Sequence, residues 1–144
     1  MANIEVTRLT SADSATAAAI SLLLKQLSTQ EFTFSEQELN ALLSNPATAI
    51  FVLRCEGNVV GMLTVGNYFS PTGRKAWIGD VVVDHSMRGR GYGAMLVNHA
   101  IEYVRTLSPC TLMLTSNPSR IAANELYRSR GFEQKITNVY RMTL

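Results

Sequence analysis

The chain has little that would support metal, disulfide or membrane chemistry. Its 144 residues include two cysteines, Cys55 and Cys110, which lie far apart in apolar runs, with no CxxC pair. That pattern predicts two reduced thiols and no metal site. The most apolar early segment, Ala15 to Leu24, is too short to span a bilayer, and no basic leader precedes it. We therefore expect a cytoplasmic protein that has no membrane partner.

The chain also has almost no excess of one sign of charge. The chain carries 13 basic and 11 acidic residues, a net charge of +2, which excludes a general polycation for binding nucleic acid. Any positive charge that matters must be local, as at Arg88 and Arg90. With 47% hydrophobic and 17% charged residues, the composition is that of a folded protein. The length predicts one domain over residues 1–144.

Hydrophobic periodicity predicts strands and helices in the order β α α β β β α β α β β. Ser35 to Glu38 has the form of a capping box at the start of the second helix. The turn Glu56 to Asn58 between two apolar runs predicts a hairpin. Two closing strands are expected at residues 133–136 and 138–144. The pattern predicts a mixed α/β domain with helices on both faces of one sheet.

The stretch RGRGYG, Arg88 to Gly93, lies between an apolar strand and a helix. The first turn of a helix has unpaired N–H groups and a positive dipole end, and glycines let a ligand approach the backbone. The two arginines add charge that suits phosphate geometry. Together these features favour an anion site for a phosphate or pyrophosphate.

Three other interpretations of this stretch compete with an anion site. The dinucleotide fingerprint GxGxxG differs from the GxGxG found here, and the early βαβ unit that it needs is missing. A Walker loop requires Gly-Lys-Ser/Thr, which is absent. A glycine-rich turn with no ligand stays open on this stretch alone.

Two longer stretches resemble motifs of the GNAT superfamily of acyl-CoA-dependent N-acyltransferases. In VVVDHSMRGRGYGAMLV, Arg88, Gly91 and Gly93 match the motif R/Q-x-x-G-x-G/A. NPSRIAANELYRSRGF resembles the pattern N-x-x-A-x-x-L-Y-x-x-x-G-F, and the residues matched to it are Asn124, Leu126, Tyr127, Gly131 and Phe132. The resemblance is close from Trp77 to the C-terminus. Before Trp77, only the order of helices and strands resembles that of the superfamily.

The resemblance implies a single-domain GNAT fold. Its mixed, mostly antiparallel sheet would have about six or seven strands and about four flanking helices. A splayed pair of strands would hold acetyl-CoA, the acyl donor, without a metal. Main-chain groups of Val81, Val82 and Val83 would contact the pantetheine arm. The pyrophosphate would be wrapped by Arg88, Gly89, Arg90, Gly91, Tyr92, Gly93 and Ala94.

At the reacting end, the resemblance implies that Asn124 and Tyr127 reach the pantetheine or the thioester. Tyr127 is a candidate proton donor for the leaving thiolate, because a phenol stays protonated at neutral pH. Many superfamily members have a glutamate before the glycine loop, whereas this chain has Gly79 nearby and Asp80 as the carboxylate of that strand. Asp80 could serve as general base, bind a substrate cation or cap a bulge at Gly79.

The expected function is N-acetylation of a primary amine of a small molecule or peptide, by direct attack in a ternary complex. A non-catalytic acyl-CoA sensor on the same fold is the alternative. RNA binding is disfavoured, since no stacking platform or broad basic patch is evident. Glu31, Glu36 and Glu38 could favour a cationic acceptor, but the sequence does not identify the acceptor or the acyl-chain preference. A homodimer stays open.

Overall fold

The computed structural model describes residues 2–28 and 33–144, so Glu31 lies outside the described residues. A 3-10 turn, His85–Met87, precedes the third helix. The elements in chain order are β1 (Ile4–Arg8), α1 (Ser14–Leu27), α2 (Glu36–Leu43), β2 (Thr48–Cys55), β3 (Asn58–Ser70), β4 (Gly73–Val83), α3 (Tyr92–Arg105), β5 (Cys110–Met113) and α4 (Ile121–Ser129).

Local signals in the sequence set several element boundaries. The Ser35 hydroxyl accepts a hydrogen bond from the Glu38 N–H at 3.1 Å, so the predicted cap of α2 is confirmed. The β2–β3 hairpin turns through Glu56 and Gly57, with φ of 50° and 82°. Two successive left-handed residues twist the chain in the sense that antiparallel strands need. The predicted hairpin is therefore confirmed.

One sheet organises the fold, with strand order β1-β2-β3-β4-β5. The first four strands are antiparallel neighbours, and β5 joins β4 in parallel, so the sheet is mixed and mostly antiparallel as expected. The expected strand count is too high. Residues 133–144 are described but contain no strand, and all of them are exposed. Strand propensity in this segment is not enough, because a strand exists only through hydrogen bonds to a neighbour.

The core has two layers, one on each face of the sheet. Along β2, Phe51 and Leu53 pack into the cluster that contains α3, whereas Ile50 and Val52 pack with α1 and α2. All four are at most 5% exposed, which is the burial expected of a central strand covered on both faces. The prediction of helices on both faces is confirmed.

A bulge in β4 changes the face of the sheet on which its alternate side chains lie. Thr64 pairs with Gly79, but Met62 pairs with Val82, so β4 has one residue more than β3 between these pairs. Asp80, within the bulge, has a φ of 52°. The sequence indicated a bulge at Gly79, yet the left-handed residue is the aspartate that follows it. After the extra residue, the alternation of the strand is reversed.

No helix in residues 2–28 and 33–144 is long and apolar enough to cross a bilayer. Cys55 and Cys110 are both free thiols and both half-buried. Within the same described ranges, His, Cys, Asp and Glu side chains do not gather into a group of three or more that could hold a metal ion.

Candidate functional site

The site begins where β4 and β5 separate. Their parallel pairing runs from Arg74 opposite Cys110 to Trp77 opposite Met113, and β4 then continues alone to Val83. A cleft of about 620 Å³ opens there, lined by β4, the start of α3 and one face of α4. The predicted pair of splayed strands is therefore present.

Residues 81–83 of β4 form one wall of the cleft. Val82 packs into the core on the α1 side, whereas Val81 and Val83 pack against the core on the α3 side. On one edge, Val82 and Val83 pair with β3. The other edge has lost its β5 neighbour, so its main-chain groups face the cleft. These valines pack in the core while lining the cleft, and their main-chain contacts to a ligand stay a prediction.

The start of α3 forms the second wall. Gly89 and Gly91 have φ of 77° and 82°, a region where a β-carbon is strained, and no atom lies within 4 Å of where such a carbon would be. The first helical bond runs from the Met95 N–H to the Gly91 carbonyl at 3.2 Å. The N–H groups of residues 92–94 consequently have no backbone partner within the described chain. They line the cleft at the positive end of the helix dipole.

The two arginines of the glycine stretch differ in their position relative to the cleft. The Arg88 Nε donates to the Val83 carbonyl at 3.1 Å, which ties its guanidinium to the end of β4 beside the cleft. Arg90 is exposed and does not line the cleft. One fixed cation therefore accompanies the free amides of α3, and the pyrophosphate contact of Arg90 stays a prediction.

Tyr127 closes the opposite side of the cleft from α4. It is 7% exposed, and its ring meets that of Phe132 edge-on at 6.0 Å between centroids. Burial raises the pKa of its phenol, and the charge of Arg120 acts in the opposite direction. Within the described residues the hydroxyl has no hydrogen-bond partner, but it is not sealed from solvent. Tyr127 therefore packs in the core and presents an available proton donor.

Asn124 does not line the cleft. Its side-chain amide donates instead to the carbonyl of Asn117 at 3.0 Å. Counting back from Ala123, the asparagine of the sequence pattern falls on Arg120, so the match of Asn124 to that position is wrong. Arg120 precedes α4 and lines the cleft beside Tyr127. The spacing alone could have identified it.

Gln26, at the end of α1, is a cleft residue that the sequence did not suggest. Its Nε2 donates to Asp84 at 2.6 Å, and its Oε1 accepts from the His85 N–H at 2.9 Å. Hydrogen bonds from Ser86 and from Gln26 lower the pKa of the Asp84 carboxyl. The amide therefore fastens α1 to the end of β4. No sequence signal marks it, since the partners are 58 and 59 residues away.

Asp80, the carboxylate of β4, is exposed and does not line the cleft. The single proton of the Thr64 hydroxyl is within hydrogen-bond reach of two acceptors, the Asp80 Oδ2 at 3.0 Å and the Gly79 carbonyl at 2.9 Å. These bonds place Asp80 in the bulge, where aspartate tolerates a left-handed backbone better than most residues do. A role as general base stays a prediction.

Glu36 and Glu38, considered as attractors for a cationic acceptor, lie exposed at the start of α2. The Glu38 carboxylate accepts a hydrogen bond from the Ser35 hydroxyl at 3.2 Å, within the capping box. Neither glutamate lines the cleft. Acceptor attraction by these residues stays a prediction, whereas the helix cap accounts for Glu38.

The comparisons with known proteins agree with this geometry. The model of the acetyltransferase (GNAT) family matches residues 17–132, which include the cleft and most of the sheet. The chain belongs to the GNAT acetyltransferase family. A curated GNAT relative, an uncharacterized N-acetyltransferase of Methanocaldococcus jannaschii, is 32% identical over 97 residues, which are 65% of this chain. The matched region spans 43% of that longer protein.

Solved structures share the GNAT fold over nearly the whole chain. An aminoglycoside acetyltransferase from an uncultured soil metagenomic sample superposes with a TM-score of 0.84 at 19% identity, covering 98% of this chain and 97% of its own. A putative acetyltransferase of Agrobacterium tumefaciens gives 0.80 at 26% identity, covering 96% and 99%. A predicted acetyltransferase of Clostridium acetobutylicum, solved with acetyl-CoA, gives 0.74 at 14% identity, covering 97% and 96%. Each of these alignments leaves out fewer residues of this chain than the segment 133–144 contains. Each alignment therefore includes part of that C-terminal segment.

Proposed function

We propose that this GNAT protein transfers an acetyl group from acetyl-CoA to a primary amine of a small molecule or peptide, by direct attack in a ternary complex. The observation that carries the proposal is Tyr127, which lines the cleft and whose hydroxyl has no hydrogen-bond partner within the described chain. A proton donor is needed there if a thiolate is to leave.

The groups that line the cleft are of the kinds that acetyl-CoA needs. Apart from the Val83 carbonyl, which accepts from Arg88, main-chain groups on the unpaired edge of residues 81–83 could bond to the amides of a pantetheine arm. The free N–H groups of residues 92–94, together with Arg88, suit a pyrophosphate. The solved structure of similar fold that contains acetyl-CoA supports the same donor. When bound, this donor supplies an acetyl thioester.

The chain's own groups then have distinct tasks. Tyr127 donates its proton to the sulfur that leaves, and its raised pKa keeps the phenol protonated at neutral pH. A backbone N–H on the free edge of β4 stabilises negative charge that develops on the carbonyl oxygen. Asp80 accepts a proton from the acceptor amine, directly or through water, because only a neutral amine attacks. Without such a base, the enzyme would select the neutral fraction of the amine.

A non-catalytic acyl-CoA sensor is the second candidate. The observation in its favour is that no aspartate or glutamate of the described residues lines the cleft. A sensor needs the donor site but neither a base nor a proton donor. The two functions therefore make the same prediction for binding and different predictions for turnover.

The deciding experiment measures thiol release from acetyl-CoA with a panel of amines, amino acids and peptides, alongside calorimetric binding of acetyl-CoA. Binding with amine-dependent release supports the enzyme. Binding without release across the panel supports the sensor, and absence of binding overturns both.

A single domain over residues 1–144 and a cytoplasmic location are part of the proposal.

A further inference from the structure

Part of the sheet face on the α1 side is not covered by α1 or α2. Met62 on β3 and Val82 on β4 are buried on this face, in the cluster that packs with the two helices. On the same two strands, nearer the hairpin that joins them, Tyr68 and Trp77 are 52% and 40% exposed. Two large aromatic rings thus lie in solvent within the described residues, next to a buried part of the sheet.

The strand register places the two rings on one face. Tyr68 lies an even number of residues after Met62 on β3, and therefore on the α1 side. Ile78 packs on the α3 side, so Trp77, which precedes it, also lies on the α1 side. Because Trp77 pairs with Gly66, two residues before Tyr68, the rings are diagonal neighbours across the strands. Single exposed aromatic residues are ordinary, but neighbouring ones mark a contact surface.

The sheet surface beside these rings carries no side chains. Gly66 lies opposite Trp77, and a β-carbon at Gly66 would meet no atom within 4 Å. Gly79 follows two residues after Trp77 on the same face, and a β-carbon there would meet only the Thr64 hydroxyl, at 3.3 Å. These two glycines form a flat floor of backbone, which we call the glycine floor. A planar ring can lie on this floor in contact with the indole.

One end of the glycine floor is acidic. Asp80 follows Gly79 directly, and the Thr64 hydroxyl lies 3.0 Å from its Oδ2, which holds the carboxylate on the α1 side. Asp80 is exposed and has no ion-pair partner among the described residues. The next residue, Val81, lines the donor cleft. An ammonium group bound to Asp80 would therefore lie beside the wall of that cleft.

The side chains of this face favour an aromatic ligand over a sugar. A sugar ring carries several hydroxyls, and each one that leaves water needs a hydrogen-bond partner. The Lys75 Nζ, however, already donates to the Thr72 carbonyl and hydroxyl, at 3.2 and 2.9 Å. The one proton of the Thr64 hydroxyl already has Asp80 and Gly79 as acceptors. What the face offers is ring contact and one carboxylate.

We propose that this face binds the acceptor, and that the acceptor is an arylalkylamine, an aromatic ring joined to a primary amine by a short alkyl chain. The inference rests on the proposed acetyl transfer and names its acceptor class. The ring lies on the glycine floor against Trp77 and Tyr68, and the ammonium group bonds to Asp80. Three residues of strand separate Trp77 from Asp80, about 10 Å, which is comparable to the length of such a molecule.

The binding test uses the fluorescence of Trp77, the single tryptophan of the chain. Phenethylamine is titrated into the whole chain in the presence of CoA, with excitation at wavelengths that tyrosine does not absorb. We expect a saturable change in emission, because the ring contacts the indole. Butylamine keeps the ammonium but lacks the ring, and phenethyl alcohol keeps the ring but lacks the ammonium. Each should displace phenethylamine only at concentrations at least about tenfold higher.

Two adjacent aromatic residues supply a matched pair of variants. Tyr68 lies on the proposed binding face, whereas Phe69 lies on the opposite face, with the Arg74 guanidinium 4.1 Å from its ring centroid. Tyr68→Ala should raise the Kd and the KM for phenethylamine about threefold to tenfold, the scale of one aromatic contact. Phe69→Ala should change neither value. Gly66→Leu fills the glycine floor and should raise both. The KM for butylamine should change little in Tyr68→Ala.

These measurements separate the acceptor class from the transfer itself. Thiol release with other amines, together with no saturable response to phenethylamine, would overturn the acceptor class and leave the transferase in place. Tighter binding of glucosamine than of phenethylamine would assign the face to amino sugars, and would equally overturn the inference. Saturable binding of phenethylamine without thiol release from acetyl-CoA would support the ligand class of the face and refute the proposed transfer.

Discussion

Arg120 and Tyr127 line the same cleft, and the charge of Arg120 bears on the pKa of the Tyr127 phenol. Burial raises the pKa of the Tyr127 phenol, and the positive charge of Arg120 opposes that rise. The phenol therefore remains protonated at neutral pH, although the positive charge of Arg120 favours its ionised form. A donor near a cation suits a site where negative charge appears on a leaving sulfur.

Replacing Tyr127 by phenylalanine tests the proton donor. Tyr127→Phe keeps the ring that packs on Phe132 but removes the hydroxyl. The kcat should fall about 10²-fold or more, the usual scale of general acid catalysis, while the KM for acetyl-CoA changes little. Tyr103→Phe is the matched control, because Tyr103 packs on Phe51 and does not line the cleft. Near wild-type turnover in Tyr127→Phe would leave the residue a packing role alone.

Removing the charge of Arg120 should move the titration of Tyr127. Because the guanidinium lowers the phenol pKa, Arg120→Gln should raise it further above its ordinary value. Ultraviolet difference titration against Tyr127→Phe isolates this one phenol. Arg128→Gln is the control, since Arg128 lies on α4, the helix that Arg120 precedes, and does not line the cleft. A lower pKa in Arg120→Gln would contradict the assigned electrostatics.

Substitution of Gly91 tests the anion site. Its φ of 82° strains any side chain, but aspartate and asparagine tolerate this region comparatively well and are nearly equal in size. Gly91→Asp should abolish calorimetric binding of acetyl-CoA, because a carboxylate would face the pyrophosphate. Gly91→Asn should bind measurably, although more weakly than the wild type. Equal affinities of the two variants for acetyl-CoA would show that repulsion of the pyrophosphate by a negative charge is not the cause of the loss.

Asp80 is tested by the pH dependence of kcat/KM. Asp80→Asn keeps a residue that tolerates the left-handed backbone of the bulge, but it cannot accept a proton. The variant should lose most activity at neutral pH and less toward pH 10, where an aliphatic amine with a pKa of about 10 is about half neutral. Profiles should be recorded from about pH 6 to 10. A constant offset would indicate positioning through the Thr64 bond, and coincident profiles would exclude Asp80 from the reaction.

Short stretches of sequence predicted short stretches of structure well. Ser35 caps α2, and Glu56 and Gly57 turn the hairpin. The glycine at 91 starts α3 and leaves its first amides free, as the pattern indicated. Each of these depends on sterics and hydrogen bonds among residues a few positions apart.

Predictions that needed a distant partner succeeded less often. The closing strands were expected from strand propensity, but residues 133–144 pair with nothing in the described chain. The match of Asn124 is a different kind of error, because counting along the motif is enough to assign that position to Arg120, and the cleft agrees. Gln26 lines the cleft only because α1 packs beside the end of β4.

The sequence by itself determined the family, the glycine turn that frees the amides of α3, and the tyrosine near the end of α4. Those features lie in contiguous motifs, and local backbone geometry is enough to form them. Only the tertiary structure decided that β5 leaves β4 after Trp77, and that Arg120 and Gln26 meet at the resulting cleft. Separation of two strands and convergence of distant side chains depend on which surfaces the whole chain buries, and no short pattern encodes that choice.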